Sequence, residues 1–262
     1  MTLAAVTFDV THTLLACPAL GQQYADVLAR HGIAVLARDV EAAIPLVWQE
    51  LAGAATPARD RFVHHPNGAR GFWRHFVERT CELIDAPRPS AFAAAELFDR
   101  FAQPDAWEVA PGTRPMLAEL KRRGLKLAVI SNWDQRLPLL LERLDLADPF
   151  DTFAISAIVG AEKPHPRIFE TALAALGVAA ERALHVGDSR RDDVEGAQGV
   201  GMQALLLSPA GDGDLRSLAE LPARLRGRAF MDAREQRPQR LPGDDGNMPG
   251  LQIAARRGLA GA

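Results

Sequence analysis

Cysteine is scarce in this sequence: Cys17 and Cys81 stand alone among 262 residues. A chain of this length in an oxidising compartment would often carry more, so the usage fits free thiols in a reducing cytoplasm. An excess of either charge is lacking too. The 30 Lys and Arg face 33 Asp and Glu, a net charge of -3, which gives no electrostatic reason to expect nucleic acid or a membrane surface as a partner. The N-terminus MTLAAVTFDVT has no basic segment, and Asp9 interrupts its apolar run, so it reads neither as a secretory signal nor as a membrane span. There is no internal repeat. These absences leave small-molecule chemistry in the cytoplasm as the expectation.

What is present is an ordinary globular composition, 48% hydrophobic and 24% charged, with length enough for a large domain or a core domain plus an insert. Leu3 to Phe8 is a short apolar run ending at Asp9, the pattern of a strand buried on both faces that opens onto a site. The next such strand, Leu125 to Ser131, follows an amphipathic stretch from Gly112 to Arg123 and a Gly124 placed as a helix stop. Helix and strand patterns then alternate: helix near Leu137 to Leu144, strand Thr152 to Ile155, helix Pro166 to Leu176, strand Ala183 to Val186, helix near Asp193 to Gly199, strand Gln203 to Leu207. This alternation predicts an α/β fold, a doubly wound, Rossmann-like parallel sheet with its chemistry at the carboxyl ends of the strands.

The stretch 17–107 breaks the pattern. It reads as helices at Gly21 to His31, Asp39 to Leu51, Ala69 to Ile84 and Ala91 to Phe101, punctuated by Pro and Gly, and so as an inserted α-helical cap on a core made of 1–16 and 108–233. Residues 234–262 are rich in Pro, Gly and charge and read as a disordered tail, with a weak helix at the end.

Four segments fall at strand ends: Asp9-Val-Thr-His-Thr13, Ser131-Asn132, Glu162-Lys163-Pro164, and Gly187-Asp188 through Asp193. A doubly wound sheet gathers those ends along one edge. Mg²⁺ takes oxygen ligands, usually one or two carboxylates with water and substrate phosphate, and Asp9, Asp188 and Asp193 offer them. Lys163 and Ser131 are placed to hold a phosphate, and positioning with charge stabilisation is most of what phosphoryl transfer requires.

The runs FDVTHTLL, SN after an apolar strand, KPHPRIF and HVGDSRRDDVEGAQGVGM together resemble the haloacid dehalogenase (HAD) superfamily of hydrolases, in the subgroup whose helical cap follows the first motif. The resemblance implies that Asp9 is a nucleophile forming an aspartyl-phosphate and that the backbone carbonyl of Thr11 joins Asp9, Asp188 and Asp193 around Mg²⁺. Ser131, Asn132 and Lys163 would bind a small phosphorylated substrate. Both Asp192 and Asp193 suit the second acidic position; Val194 and the following helix match better with Asp193, leaving Asp192 as a charge at a helix start.

Two positions depart from the family pattern. Family phosphatases carry an aspartate two residues after the nucleophile as general acid and base, and Thr11 stands there instead. Loss of such a group is worth about 10²- to 10⁴-fold, so alkoxide leaving groups should suffer and aryl or acyl phosphates less. Thr at this place also occurs in the superfamily's cation-pumping ATPases, and the dehalogenases, which need no metal, lack the first acidic residue of the last motif that Asp188 supplies. His12 stands where the family usually has glycine and reads as a loop residue pointing away. Trp48, Phe72, Trp73 and Phe76 read as cap core with one of them free to face the site, and His64, His65, Arg70, Arg190 and Arg191 as solvated. The reading is a Mg²⁺-dependent phosphatase. The alternatives are a 2-haloacid dehalogenase and a catalytically weak family member that binds a phosphorylated ligand or a protein.

Overall fold

The structure is a computed structural model that describes residues 2–53 and 58–227. The expected tail over 234–262, with its terminal helix, lies outside the described residues. Strand β1 (Ala5–Phe8) and the short β2 (Leu15–Ala16) lead into helices α1 (Leu20–Arg30), α2 (Ala37–Gly53), α3 (Gly68–Leu83) and α4 (Ala91–Arg100). The chain returns through β3 (Glu108–Val109), then runs α5 (Thr113–Arg122), β4 (Lys126–Ser131), α6 (Leu137–Arg143), β5 (Thr152–Ile155), α7 (Ser156–Val159) and α8 (Pro166–Leu176). It ends with β6 (Ala183–Gly187), α9 (Gly196–Gly199), β7 (Gln203–Leu206) and α10 (Leu221–Gly227).

The main sheet has the order β5-β4-β1-β6-β7, and all its pairings are parallel. Both faces are covered, and period-two alternation decides which residue meets which helix layer. On one face Val6, Phe8, Leu127, Val129, Leu184 and Val186 pack under Met116, Leu120, Leu137 and Leu141 of α5 and α6. On the other, Ala5, Ala128, Ile130 and Ala183 pack under Ile168, Phe169, Ala172 and Leu176 of α8. The small side chains on the α8 face let that helix sit close. Truncating a buried residue such as Leu127 to Ala in a core of this kind costs about 2–5 kcal/mol.

The strand order places β1 at the centre, with β4 on one side and β6 on the other, so the chain's progress reverses across it. That is the crevice where ligands bind in open α/β sheets, and Asp9 is the first residue beyond β1. Gly124, at φ 78, ends the α5 region as its position suggests. Helix α8 starts at Pro166, is capped by the His165 side chain, which accepts from Arg167 N, and stops at Gly177.

Helices α1–α4 share a core of their own, built around Leu28, Val47, Phe62, Phe72, Phe76 and Leu97. Two features were not visible in sequence. The insert joins the sheet through an antiparallel ribbon in which Leu15 pairs with Val109 and Ala16 with Glu108; strands of two residues are too short to show an alternating pattern. The helix expected to begin at Asp193 instead opens as one wide turn over Arg190–Glu195 before α9. Val194 N bonds to Ser189 O at 3.2 Å, which widens the turn and swings Asp193 back toward the strand ends. Wide turns of this type recur at functional sites.

Candidate active site

Asp9 is buried, and its backbone N–H donates to Val186 O at 3.0 Å, fixing it against β6. Its Oδ1 accepts from the Ser131 hydroxyl at 3.0 Å and from Lys163 Nζ at 2.6 Å. The same Nζ reaches Asp193 Oδ1 at 2.6 Å. Asp188 stands at the open side, where Thr13 donates to its Oδ1 at 3.5 Å. Carboxylate oxygens of Asp9, Asp188 and Asp193 lie within 4.8 Å of one another. The four strand-end segments therefore meet at one place.

One ammonium among three carboxylates leaves a surplus of negative charge, and the electrostatics record it. Burial pushes Asp9 up to about 6; Lys163 pulls against this, while Asp193 and Asp188 push the same way. Asp188 is likewise raised to about 6, by burial first and then by Asp193. Burial would raise Asp193 as well, but Lys163 and the His185 N–H beside it outweigh burial and hold it below the usual carboxylate range. Lys163, although buried, is held above its ordinary value by Asp193 and Asp9. Three converging hard oxygen donors with uncompensated charge suit a small divalent cation.

Asp193 is oriented by a relay that sequence reasoning missed. His185 Nε2 lies 3.0 Å from Asp193 Oδ1, and its Nδ1 lies 2.8 Å from the Thr7 hydroxyl. A carboxylate accepts only, so Nε2 carries a proton and donates to Asp193, while Nδ1 shares its hydrogen bond with the Thr7 hydroxyl. Thr7 and His185 are direct neighbours in the β1–β6 register. Ser189 N adds a third donor to Asp193, on Oδ2, at 2.9 Å. Asp192 is half-buried, and its own N–H donates to the Ser189 hydroxyl at 3.1 Å.

Asn132, expected to bind substrate, has its amide committed to Lys163: Nδ2 donates to Lys163 O at 3.1 Å, and Oδ1 accepts from Lys163 N at 2.6 Å. It therefore positions the lysine loop. Glu162, just before Lys163, is 1% exposed and is gripped by Arg61 of the insert through Nε at 2.7 Å, through Nη2 and through the backbone N–H. Thr11 is half-buried, and its hydroxyl accepts the Trp133 indole N–H at 2.9 Å. Asp134, 1% exposed, accepts from Trp73 Nε1 at 2.7 Å and from Arg136. Trp73 lies in α3, so this contact ties the insert to the end of β4.

His12 lies in a loop and is exposed, as expected. It adopts φ 62 in the tight turn after β1, where its N–H bonds to Leu15 O, and left-handed backbone at this position is what favours glycine. Its side chain is exposed yet lines a cavity between the insert and the sheet, together with Trp48, Trp73 and Phe76. Three of the four cap aromatics thus reach that cavity, more than the single one expected, because packing against each other and facing a cleft are compatible for large rings. Phe72 is in the insert's core. Arg190 and Arg191 are exposed, Arg70 pairs with Asp99 at 2.9 Å, and both cysteines are free thiols. No helix among the described residues is long and apolar enough to cross a membrane.

A family model described as haloacid dehalogenase-like hydrolase matches residues 3–201. The chain belongs to the haloacid dehalogenase-like hydrolase family. Within that family it is 35% identical over 213 residues to the haloacid dehalogenase-like hydrolase domain-containing protein 3 of Mus musculus, covering 78% of this chain and 81% of that protein. It is also 41% identical over 133 residues to a phosphoserine phosphatase of Thermus thermophilus, covering 50% and 52% of the two chains. The solved structure of a HAD phosphatase from Thermococcus onnurineus superposes with a TM-score of 0.60 at 30% identity, over 86% of this chain and 99% of that one. This HAD-like hydrolase is therefore an enzyme of a family whose fold it carries across nearly its whole described length.

Proposed function

We propose that this enzyme is a phosphatase acting on a small phosphate ester or anhydride, with Asp9 as nucleophile. The observation that carries the reading is the meeting of Lys163 Nζ and the Ser131 hydroxyl on Asp9 Oδ1, at 2.6 and 3.0 Å. A carboxylate oxygen that already faces a cation and a hydroxyl donor places an attacking atom beside two groups able to bind phosphoryl oxygens. In the reaction, an Asp9 oxygen forms a bond to phosphorus, the bond from phosphorus to the leaving oxygen breaks, and that oxygen keeps the electron pair. Water then attacks the acyl phosphate, releasing inorganic phosphate and restoring the carboxylate. Lys163 holds negative charge on the transferring group throughout, while the buried Ser131 keeps Asp9 oriented.

Asp9, Asp188 and Asp193 are the residues that would hold Mg²⁺, with the Thr11 carbonyl as the expected fourth protein ligand. The fit rests on the donor set: three carboxylates, oxygen ligands only, and more negative charge than Lys163 neutralises. Bound there, the metal would neutralise charge on the phosphoryl oxygens. Burial first and then the neighbouring carboxylates raise the proton affinities of Asp9 and Asp188, and a cation bound among them would relieve that repulsion.

The helical segment 17–107 is proposed as the cap that sets substrate choice. The test is phosphate release over a panel of small phosphates, with and without Mg²⁺, for wild type and Asp9→Asn. Metal-dependent release that vanishes in Asp9→Asn is expected. Release that survives the substitution would sink the reading, and metal-independent halide release from 2-haloacids would select a dehalogenase.

A further inference from the structure

Between the helical insert and the carboxyl edge of the sheet lies a cavity of about 420 Å³. Thr11 and Trp133 on its wall stand two residues beyond Asp9 and Ser131, which ties the cavity through the chain to the proposed site. Its walls carry Trp48, Trp73, Phe76, Phe101, Trp107 and Trp133. We propose that this cavity receives the aromatic part of an aryl phosphate, the monoester of a phenol of one or two rings; the proposal rests on the phosphatase reading above.

Three observations converge on that class. The first is size and surface: volumes of roughly 300–1,000 Å³ are those of small-molecule sites, and here the rings already pair edge to face or tilted, Trp48 with Phe76 at 4.9 Å and Trp107 with Trp133 at 5.2 Å. A planar ring entering between them gains the offset and edge contacts that aromatic groups prefer.

The second is the state of the charged groups on the wall. Arg136 is already held by Asp134 through Nε at 2.8 Å and Nη2 at 2.6 Å, and its guanidinium lies 3.5 Å from the centre of the Phe98 ring. Among the described residues no unpaired arginine or lysine lines the cavity, so a substrate carboxylate or second phosphate finds no free guanidinium or ammonium there. Glu41 adds negative charge instead, its carboxylate accepting from Gly21 N at 3.4 Å. Sugar hydroxyls would face ring surfaces and lose water without replacement, which is costly.

The third concerns the proton. The Thr11 hydroxyl accepts from Trp133, and both Asp134 oxygens accept from Arg136, with Trp73 on Oδ2. Among the described residues no uncommitted carboxyl stands on the sheet side of the cavity to protonate a leaving alkoxide, and His12 is the remaining titratable side chain beside Thr11 on that wall. A phenol oxygen needs little help: the phosphorus–oxygen bond to the ring breaks as the Asp9–phosphorus bond forms, the oxygen leaves with the electron pair, and solvent protonates it as the phenol departs.

The test compares kcat/KM for 1-naphthyl phosphate with that for glycerol 3-phosphate, phosphoserine and a sugar phosphate, with Mg²⁺ present. A preference for the aryl ester of about 100-fold or more is expected. Trp48→Ala should lower kcat/KM for 1-naphthyl phosphate about tenfold more than for acetyl phosphate, through KM. Equal or better turnover of phosphoserine or the sugar phosphate, or equal losses on both substrates, would overturn the proposal. A second measurement needs no folded Trp48 variant: quenching of tryptophan fluorescence by 1-naphthylmethylphosphonate in wild type, with glycerol 3-phosphate as competitor. If no substrate yields phosphate, the phosphatase reading falls; tight phosphonate binding would then still uphold the aromatic site, and no binding would end it.

Discussion

Trp133 donates its indole N–H to the Thr11 hydroxyl at 2.9 Å, joining residues that stand directly beyond β4 and β1. The contact fixes the position two residues past Asp9, the proposed nucleophile, where the proposed reaction would use an acid, and fills it with an oxygen that is already an acceptor. A threonine hydroxyl does not become a useful acid near neutrality. On the proposed phosphatase reading, Thr11 therefore gives the displaced group no proton at this position.

Thr11→Asp should change that balance. The new carboxyl can accept the Trp133 N–H and stand beside the leaving oxygen, so kcat for an alkyl phosphate such as glycerol 3-phosphate should rise at least about tenfold, out of the 10² to 10⁴ that general acid–base catalysis is worth. Hydrolysis of an aryl phosphate should change far less. Steady-state kinetics on the two substrates read the ratio directly, and equal changes on both would show that leaving-group protonation is not the missing element.

Gly187→Ala tests how tightly Asp193 is held. A Cβ at Gly187 would overlap the Asp193 carboxylate, which is itself tied to Lys163, His185 and Ser189 N. The carboxylate must move, so Mg²⁺ affinity should fall by about 10- to 100-fold, the loss typical when a ligand's supports are disturbed. Titration of metal into the variant, followed by its protection against thermal unfolding, checks this.

Much of this architecture was legible because it depends on local pattern. Asp9, Ser131, Lys163 and Asp188 were found as polar residues at the ends of apolar runs, and the doubly wound parallel sheet needed only the alternation of helix and strand periods, whereas the strand order did not show in the sequence. The supports were hidden for a physical reason. His185 sits inside a buried strand, where a single histidine looks like core, and its role appears only when the β1–β6 register sets it against Thr7. Trp133 reaches a residue 122 positions away and Arg61 one 101 positions away, and no local periodicity encodes such pairs. The left-handed backbone of His12 follows from the tightness of its turn and not from histidine's own preferences.

Arg61→Met should destabilise the fold by about 3 kcal/mol, at the low end of what removing one partner of a buried ion pair costs, because the Arg61 side chain is 15% exposed while that of Glu162 is 2% exposed. Burial first, and Asp60 with it, raises the Glu162 pKa, and Arg61 pulls back part of that rise; without the arginine the buried carboxylate loses its partner. Adding Glu162→Gln should return part of the loss, and a double-mutant cycle by urea unfolding measures the coupling. Since Glu162 precedes Lys163, kcat of the single variant should fall as well.

Magnesium binding and pH should be linked through Asp9 and Asp188. Each titrates at about 6 in the metal-free protein, against about 4 when unfolded. A carboxyl with a raised folded value binds its proton more tightly in the native state, so its contribution favours folding at lower pH and is lost as pH climbs from about 4 through 6. Asp193 has the opposite sign: its depressed value adds stability above the ordinary carboxylate range and loses it only under strong acid. Between pH 5 and 7, then, Asp193 is constant while Asp9 and Asp188 ionise against each other. A divalent cation must displace their protons at pH 5 but meets bare carboxylates at pH 7.5, so binding should release protons and tighten as pH rises. Calorimetric titrations of Mg²⁺ in buffers of different ionisation enthalpy should report proton release near pH 6 and almost none at pH 8. The gain in Tm on adding Mg²⁺ should be larger at pH 7.5 than at pH 5; an equal gain at both would mean that the cation binds elsewhere than at these carboxylates.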